Sequence, residues 1–277
     1  MFLLAEDNPV NQEVALGILQ IEGYQVTVAK NGAEAVDAFS KSAFDLVLMD
    51  CHMPEMDGFE ATRKIREMEK QNSLRRIPIV ALTANAMQQD REECLNAGMD
   101  DHLSKPYSRL QMRETLDRWL TAENAEEPAS SSPELTQVPG AAKTSSVLDR
   151  TALEGLRALE TTDNPGLLGR IIDAYLGDTP KLLEKMKHAI AAEDISEVAK
   201  AAHTLKSSSA NVGAVELAER CRQLEASAKS GAPGNLRELL SGVEAAYFNV
   251  ETALVAERGP TNTSSATSVP LSLVQVR

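Results

Sequence analysis

Cysteine is scarce in this chain. Cys51, Cys94 and Cys221 are odd in number, far apart and in no metal-binding spacing, which excludes a disulfide framework or a structural zinc site. Free thiols in a reducing compartment are the simplest reading. Positive charge is also short: 28 Lys and Arg stand against 41 Asp and Glu, giving a formal net charge of -13 with no basic stripe. Phosphate backbones and anionic membranes are held by clustered Lys and Arg, so nucleic acid is not an expected partner. No apolar run approaches the ~20 residues of a membrane span, and no charged segment precedes a signal-like core. The expectation is a cytoplasmic chain that makes no membrane contact of its own.

What is present is a soluble globular mixture, 43% hydrophobic and 25% charged over 277 residues, enough for two modest cores. From Met1 to about Thr121 short apolar runs alternate with longer amphipathic segments, the pattern of a parallel sheet with helical crossovers. Strands are expected at Phe2 to Ala5, Tyr24 to Ala29, Phe44 to Met49, Ile77 to Thr83 and Asp101 to Ser104. Asn8 with Pro9, and Asn31, read as helix starts, while Gly23 and Gly98 read as stops. Residues 122–146, rich in Ala, Ser, Pro, Glu and Thr, read as a flexible linker with a root-mean-square span of roughly 25 to 30 Å. From Val147 to Glu257 the period is helical throughout, with segments such as Lys181 to Ala192 and Ile195 to about Ala210 suiting an antiparallel bundle. Residues 258–277 look like a disordered tail. The opening MFLLAED begins inside an apparent strand, which suggests a chain cut from a longer one.

In an open parallel sheet the ligand site lies beyond the carboxyl ends of the strands, and that rule collects the polar residues of the first region. Glu6 and Asp7 end the first strand, Asp50 the third and Thr83 the fourth, while the fifth runs out toward Lys105 and Pro106. Three converging carboxylates repel one another unless a cation or protons neutralise them. Mg2+ suits the site, because it is held by one or two carboxylates, waters and phosphate oxygens. Lys105 adds a fixed positive charge and Thr83 a hydroxyl donor. These parts describe a carboxylate nucleophile that accepts a phosphoryl group.

The strings LLAEDNPVNQ, LVLMDCHMPEMDG, IVALTANA and HLSKP, in this order, closely resemble a response-regulator receiver domain over Phe2 to about Thr121. The resemblance implies a five-stranded, doubly wound, flavodoxin-like α/β fold with Asp50 as phosphoacceptor. It further implies that Asp7 binds Mg2+ directly, Glu6 mostly through water, and the backbone carbonyl of His52 completes the set. Thr83 and Lys105 would grip the phosphoryl oxygens, with a cis bond between Lys105 and Pro106. Thr83 and His102 would form the conformational switch.

In the second region, AAHTLKSSSANVGA puts Ile195, Val198, Ala199, Ala202 and Leu205 on a buried stripe at ~3.6 residues per turn. Ser196, Lys200, His203 and Ser207 are expected on an exposed strip beside it. An imidazole among small side chains with a Lys one turn on can act as a nucleophile toward phosphorus, though a lone surface His is usually just surface. HTLKSSSANVGA resembles the signature of the histidine-containing phosphotransfer (HPt) domain, an all-α bundle, and implies phosphotransfer by His203 supported by Lys206. Family members commonly have Gly where Ser207 stands, and docking is expected to survive the change.

A receiver linked to an HPt domain implies a phosphorelay: phosphoryl arrives on Asp50 from an upstream sensor histidine kinase, passes to His203 and leaves for a downstream response regulator, or returns. The same order of domains closes many hybrid sensor histidine kinases, whose C-terminal fragment is the preferred origin; the parent protein could be anchored in a membrane through its missing part. No kinase His on a dimerisation helix and no Gly-rich ATP lid occurs, so autokinase activity is not expected of this chain. The rivals are an aspartyl phosphohydrolase, whose second acid DCHMP lacks, and a binding module with vestigial sites. A DNA-binding regulator is disfavoured because a helical bundle stands where a basic recognition helix would be.

Overall fold

The computed structural model describes residues 1–83, 88–121, 147–162, 164–230 and 235–258. The expected linker at 122–146 lies outside the described residues. Arg258, expected in the tail, instead closes the last helix, and 259–277 lie outside the described residues. Among the described residues no helix is long and apolar enough to cross a membrane.

The first region alternates β1 (Phe2–Ala5), α1 (Pro9–Ile21), β2 (Val26–Ala29), α2 (Gly32–Lys41), β3 (Leu46–Asp50), α3 (Gly58–Gln71), β4 (Ile79–Thr83), α4 (Gln88–Ala97), β5 (Asp101–Ser104) and α5 (Arg109–Thr121). All pairings are parallel and the order is β2-β1-β3-β4-β5, so the chain reverses its winding between β1 and β3. Side chains on each strand alternate between two cores. Phe2, Leu4, Leu46, Leu48, Val80 and Leu82 face the side of α1 and α5, while Leu3, Ala5, Val47, Met49, Ile79 and Ala81 face the opposite side. The helix starts work as read: the Asn8 side chain accepts from the Val10 and Asn11 amides, and Asn31 accepts from that of Glu34. Strands β2, β3 and β4 start two residues later than expected, because Tyr24, Phe44 and Ile77 are apolar without being in the ladder.

A buried cation fixes one end of the sheet. Arg66 on α3 is bidentate to Glu69 through Nη1, at 2.9 and 2.7 Å, and reaches Asp100 Oδ2 at 2.5 Å and the carbonyl of Gly98 at 2.9 Å. Glu69 and Asp100 in turn accept the amides of Ile77 and Ile79, which ties the entry of β4 to α3 and to the turn before β5.

The second region begins with α6 (Arg150–Arg157) and continues as α7 (Leu167–Ala191), α8 (Ile195–Asn211), α9 (Val215–Lys229) and α10 (Leu236–Arg258). The sequence suggests two segments where α7 is one helix of 25 residues. Pro180 sits inside it: a proline removes one hydrogen bond, but Tyr175, Thr179 and Leu183 are buried on either side, and this packing carries the helix through. The turn from α8 to α9 depends on Gly213, at φ 75, where an added Cβ would lie 2.9 Å from the carbonyl oxygen of Asp149.

Removing Arg66 would strip the buried Glu69 of its cation and leave Asp100 to Arg76 alone, in a poorly hydrated site. Arg66→Ala is expected to lower the unfolding free energy of the first region by about 3–5 kcal/mol, measured by urea titration. A loss below about 1 kcal/mol would mean that water already screens the network.

Candidate functional site

β1 and β3 are neighbours, so the residues at their carboxyl ends meet at the point where the winding reverses. Carboxylate oxygens of Glu6, Asp7 and Asp50 all lie within 4.8 Å of one another. Glu6 and Asp50 are buried and Asp7 is partly so. Lys105, beyond β5 and joined to Pro106 by a cis bond, donates through Nζ to Glu6 Oε2 at 2.5 Å and to Asp50 Oδ2 at 2.6 Å. The other oxygen, Asp50 Oδ1, accepts the amide of His52 at 3.2 Å. Thr83 is buried at the end of β4, and its carbonyl accepts the Lys105 amide at 2.6 Å. The strand ends thus bring together Glu6, Asp7, Asp50, Thr83 and Lys105. His102 lies on β5 opposite Ala81, half-buried, with Nδ1 3.8 Å from Asp101 Oδ1.

The cluster is short of positive charge. Burial, reinforced by the charge of Asp50, raises the Asp7 carboxyl from 3.8 to about 6 and pushes Glu6 upward as well, against the pull of Lys105. Burial opposes the charge on Lys105, but Asp50 and Glu6 outweigh it and hold the ammonium protonated. With all three carboxylates ionised against one ammonium, two negative charges are left over. Hard oxygen donors from Glu6, Asp7 and Asp50 and this deficit fit a divalent ion such as Mg2+.

The thiols of Cys51 and Cys94, distant in sequence, sit 3.8 Å apart in the core behind Asp50. Their hydrogen bond, together with burial, pushes Cys51 upward, so it packs as a neutral thiol.

The second constellation is built on α8 and α9. His203 Nδ1 donates to Glu225 Oε1 at 2.8 Å, Lys206 donates to Oε2 at 2.7 Å, and Lys229 donates to Oε1 at 2.8 Å. Glu225 is buried, yet these bonds outweigh burial and hold its carboxyl well below the usual range. An ionised carboxylate only accepts, so Nδ1 carries the proton and Nε2 is the nitrogen left for chemistry. Sequence reasoning missed Glu225, because it lies 22 positions from His203 on another helix.

His203 and Ser207 are not on an exposed strip. Ser196 and Lys200 are exposed as expected, whereas the His203 side chain is 16% exposed and Ser207 is buried. The cause is the first region, whose α1 lies against α7 and α8. His203 stacks edge-on against His52, ring centroids 5.1 Å apart, and is close enough to Asp7 to bear on its charge.

Residues 2–117 match the response regulator receiver domain, and residues 170–251 match the Hpt domain. The chain is therefore a flavodoxin-like receiver domain followed by an HPt bundle. The sensor protein GacS of Pseudomonas syringae pv. syringae is 32% identical over 252 residues, covering 90% of this chain and 27% of that protein. Hybrid signal transduction histidine kinase B of Dictyostelium discoideum is 52% identical over 112 residues, 38% of this chain and 6% of that protein. The chain thus spans about a quarter or less of the length of these relatives. Among solved structures, the receiver domain of sensor histidine kinase PA1611 from Pseudomonas aeruginosa PAO1, described with a magnesium ion in its active-site cleft, is 48% identical. It covers 43% of this chain and 96% of that one, with a TM-score of 0.40.

The raised carboxyls carry a sign for stability. Above pH 3.8 the unfolded Asp7 ionises while the folded one resists until about 6, so its charge costs stability fully above that value. Asp7→Asn is expected to raise the unfolding free energy of the metal-free chain at pH 7 by on the order of 1–3 kcal/mol. The gain should fade between pH 6 and 3.8, and thermal melting across this range checks it.

Proposed function

We propose that this chain carries two stations of a phosphorelay, with Asp50 accepting a phosphoryl group from a phosphohistidine of an upstream kinase and His203 passing it to a downstream response regulator. The observation that supports it most is the placement of His203, its Nδ1 held by Glu225 and its ring against His52, at the mouth of the Asp50 cluster.

In the first transfer an Asp50 carboxylate oxygen attacks phosphorus, an O–P bond forms, and the N–P bond of the donor imidazole breaks. Lys105 already bridges Asp50 and Glu6, so its charge stands where the incoming oxygens gather. Thr83, beside it on β4, supplies a hydroxyl for one of those oxygens. Asp7, Asp50, Glu6 and the His52 carbonyl would hold Mg2+, which when bound supplies positive charge to the transferring phosphoryl oxygens.

In the second transfer Nε2 of His203 attacks phosphorus, the N–P bond forms, and the electron pair of the O–P bond returns to Asp50. The ring gains positive charge as the bond forms. Glu225, fixed on the Nδ1 proton, stabilises that charge without taking the proton. Lys206 is held on the same carboxylate, one turn from His203, within reach of a phosphoryl group on Nε2. The reverse step uses the same groups, so flow between Asp50 and His203 is reversible. Thr83 and His102 remain the proposed switch, through which phosphorylation alters the outer face near β4 and β5.

Incubation with acetyl phosphate and Mg2+ is expected to add one phosphoryl group to Asp50, seen by intact mass, and to lose it in Asp50→Asn or with excess EDTA. No labelling of the wild-type chain by acetyl phosphate or by a phosphorylated kinase would instead favour a binding module. Glu225→Gln keeps the size and an acceptor but removes the charge. It is expected to slow transfer from phospho-Asp50 to His203 by roughly 10–100-fold, read by rapid-quench labelling. An unchanged rate would reduce Glu225 to a packing role.

A further inference from the structure

α1 of the receiver is buried on two faces. Val10, Val14 and Ile18 join the core, while Asn11 and Gly17 are buried on the side toward α7 and α8. At the centre of that side, Asn11 is held by both regions. Its Nδ2 donates to Glu6 Oε1 at 2.9 Å and to Ser207 Oγ at 3.2 Å, and its Oδ1 accepts from Asn211 Nδ2 at 2.8 Å. Asn164 Nδ2 donates to Gln20 Oε1 at 2.9 Å, and Arg170 pairs with Glu13 at 3.1 Å on the rim. Gly17 explains itself here. Glycine weakens the middle of a helix, yet an added Cβ would lie 2.6 Å from Leu167 Cδ2, so the missing side chain is the pit that Leu167 fills.

We propose that this seam is a docking surface built for the chain's own receiver, which seats the HPt bundle on α1, points His203 at Asp50 in the same molecule, and withholds His203 from receivers of other molecules. The inference rests on the relay reading of Asp50 and His203 and adds the partner.

Ser207, the departure from the usual HPt glycine, is the residue that reads the partner. Both Nδ2 hydrogens of Asn11 are used, one on Glu6 and one on Ser207. With glycine at 207 the second would be left without an acceptor in a buried seam, a loss that falls on this receiver and spares one lacking the Asn. Asn11 also carries the contact inward, because the Glu6 that accepts from it belongs to the Asp50 cluster.

The test uses the full chain and reads opposite signs from one substitution. Transfer from phospho-Asp50 to His203, counted per phosphorylated Asp50, is expected to be first order and independent of protein concentration, and Gly17→Leu is expected to slow it at least tenfold. A second assay mixes a phosphorylated donor chain carrying His203→Ala with an acceptor chain carrying Asp50→Ala. Gly17→Leu in the acceptor is expected to speed this transfer severalfold, because it uncovers His203, and Ser207→Gly should move both rates in the same directions by less. A transfer rate proportional to concentration, or Gly17→Leu leaving both rates unchanged, would overturn the docking while leaving the relay standing.

If no phosphoryl group reaches His203 in any arrangement, the relay reading fails and a chemical readout decides the docking alone. Gln20→Cys with Asn164→Cys should cross-link within one molecule under a short bifunctional thiol reagent, at least tenfold faster than in the same chain with Gly17→Leu. Equal cross-linking in the two overturns the proposal.

Discussion

Lys105 sits between two buried carboxylates, and the arrangement of the receiver follows from keeping that ammonium charged there. Glu6 and Asp50 hold it at 2.5 and 2.6 Å, and their attraction overcomes the cost of burying it. The three groups can meet only because β1 and β3 are adjacent and β5 ends on the same edge, which is what the strand order provides. Asp7 then overfills the site with negative charge. A surplus of this kind costs stability at neutral pH, and such a cost persists where it is part of a function.

The HPt site has the inverse charge pattern. Around Asp50 three carboxylates share one ammonium, whereas around Glu225 one carboxylate is shared by His203, Lys206 and Lys229. In the proposed relay a dianionic phosphoryl group moves between a site that must be neutralised before it can accept and a site already rich in cations. Each state of the pair is therefore tolerable in turn, and neither is a sink. Reversible transfer needs that balance more than it needs tight binding at either end.

Much of this was legible in the sequence because it is local. Short apolar runs alternating with amphipathic segments, Asn caps and the Gly stops pointed to the receiver elements, and the rule that sites lie beyond strand ends collected Glu6, Asp7, Asp50, Thr83 and Lys105. What was not legible depends on which helix lies beside which. Glu225 is an ordinary acidic residue of an amphipathic helix until α9 packs on α8 and aims it at His203. The segment expected at Lys181 to Ala192 is the second half of a longer helix, because packing on both sides of Pro180 carries α7 through it. His203 and Ser207 read as exposed because helical periodicity describes one domain, while the surface that covers them belongs to the other.

α1 meets both requirements at once. Its first turn is capped by Asn8, whose amide also donates to Glu6, so the helix that supports the HPt bundle starts at the charged cluster itself. The polar part of the seam is small: among the described residues three side-chain hydrogen bonds cross it, Asn11 to Ser207, Asn211 to Asn11 and Asn164 to Gln20, with a rim ion pair whose Arg170 is exposed. Exposed pairs of that kind add little affinity, and a contact within one chain needs little, because tethering already supplies a high effective concentration. The buried apolar cluster that runs from α1 into the bundle supplies the rest of the contact, and the polar bonds beside it fix where the imidazole sits.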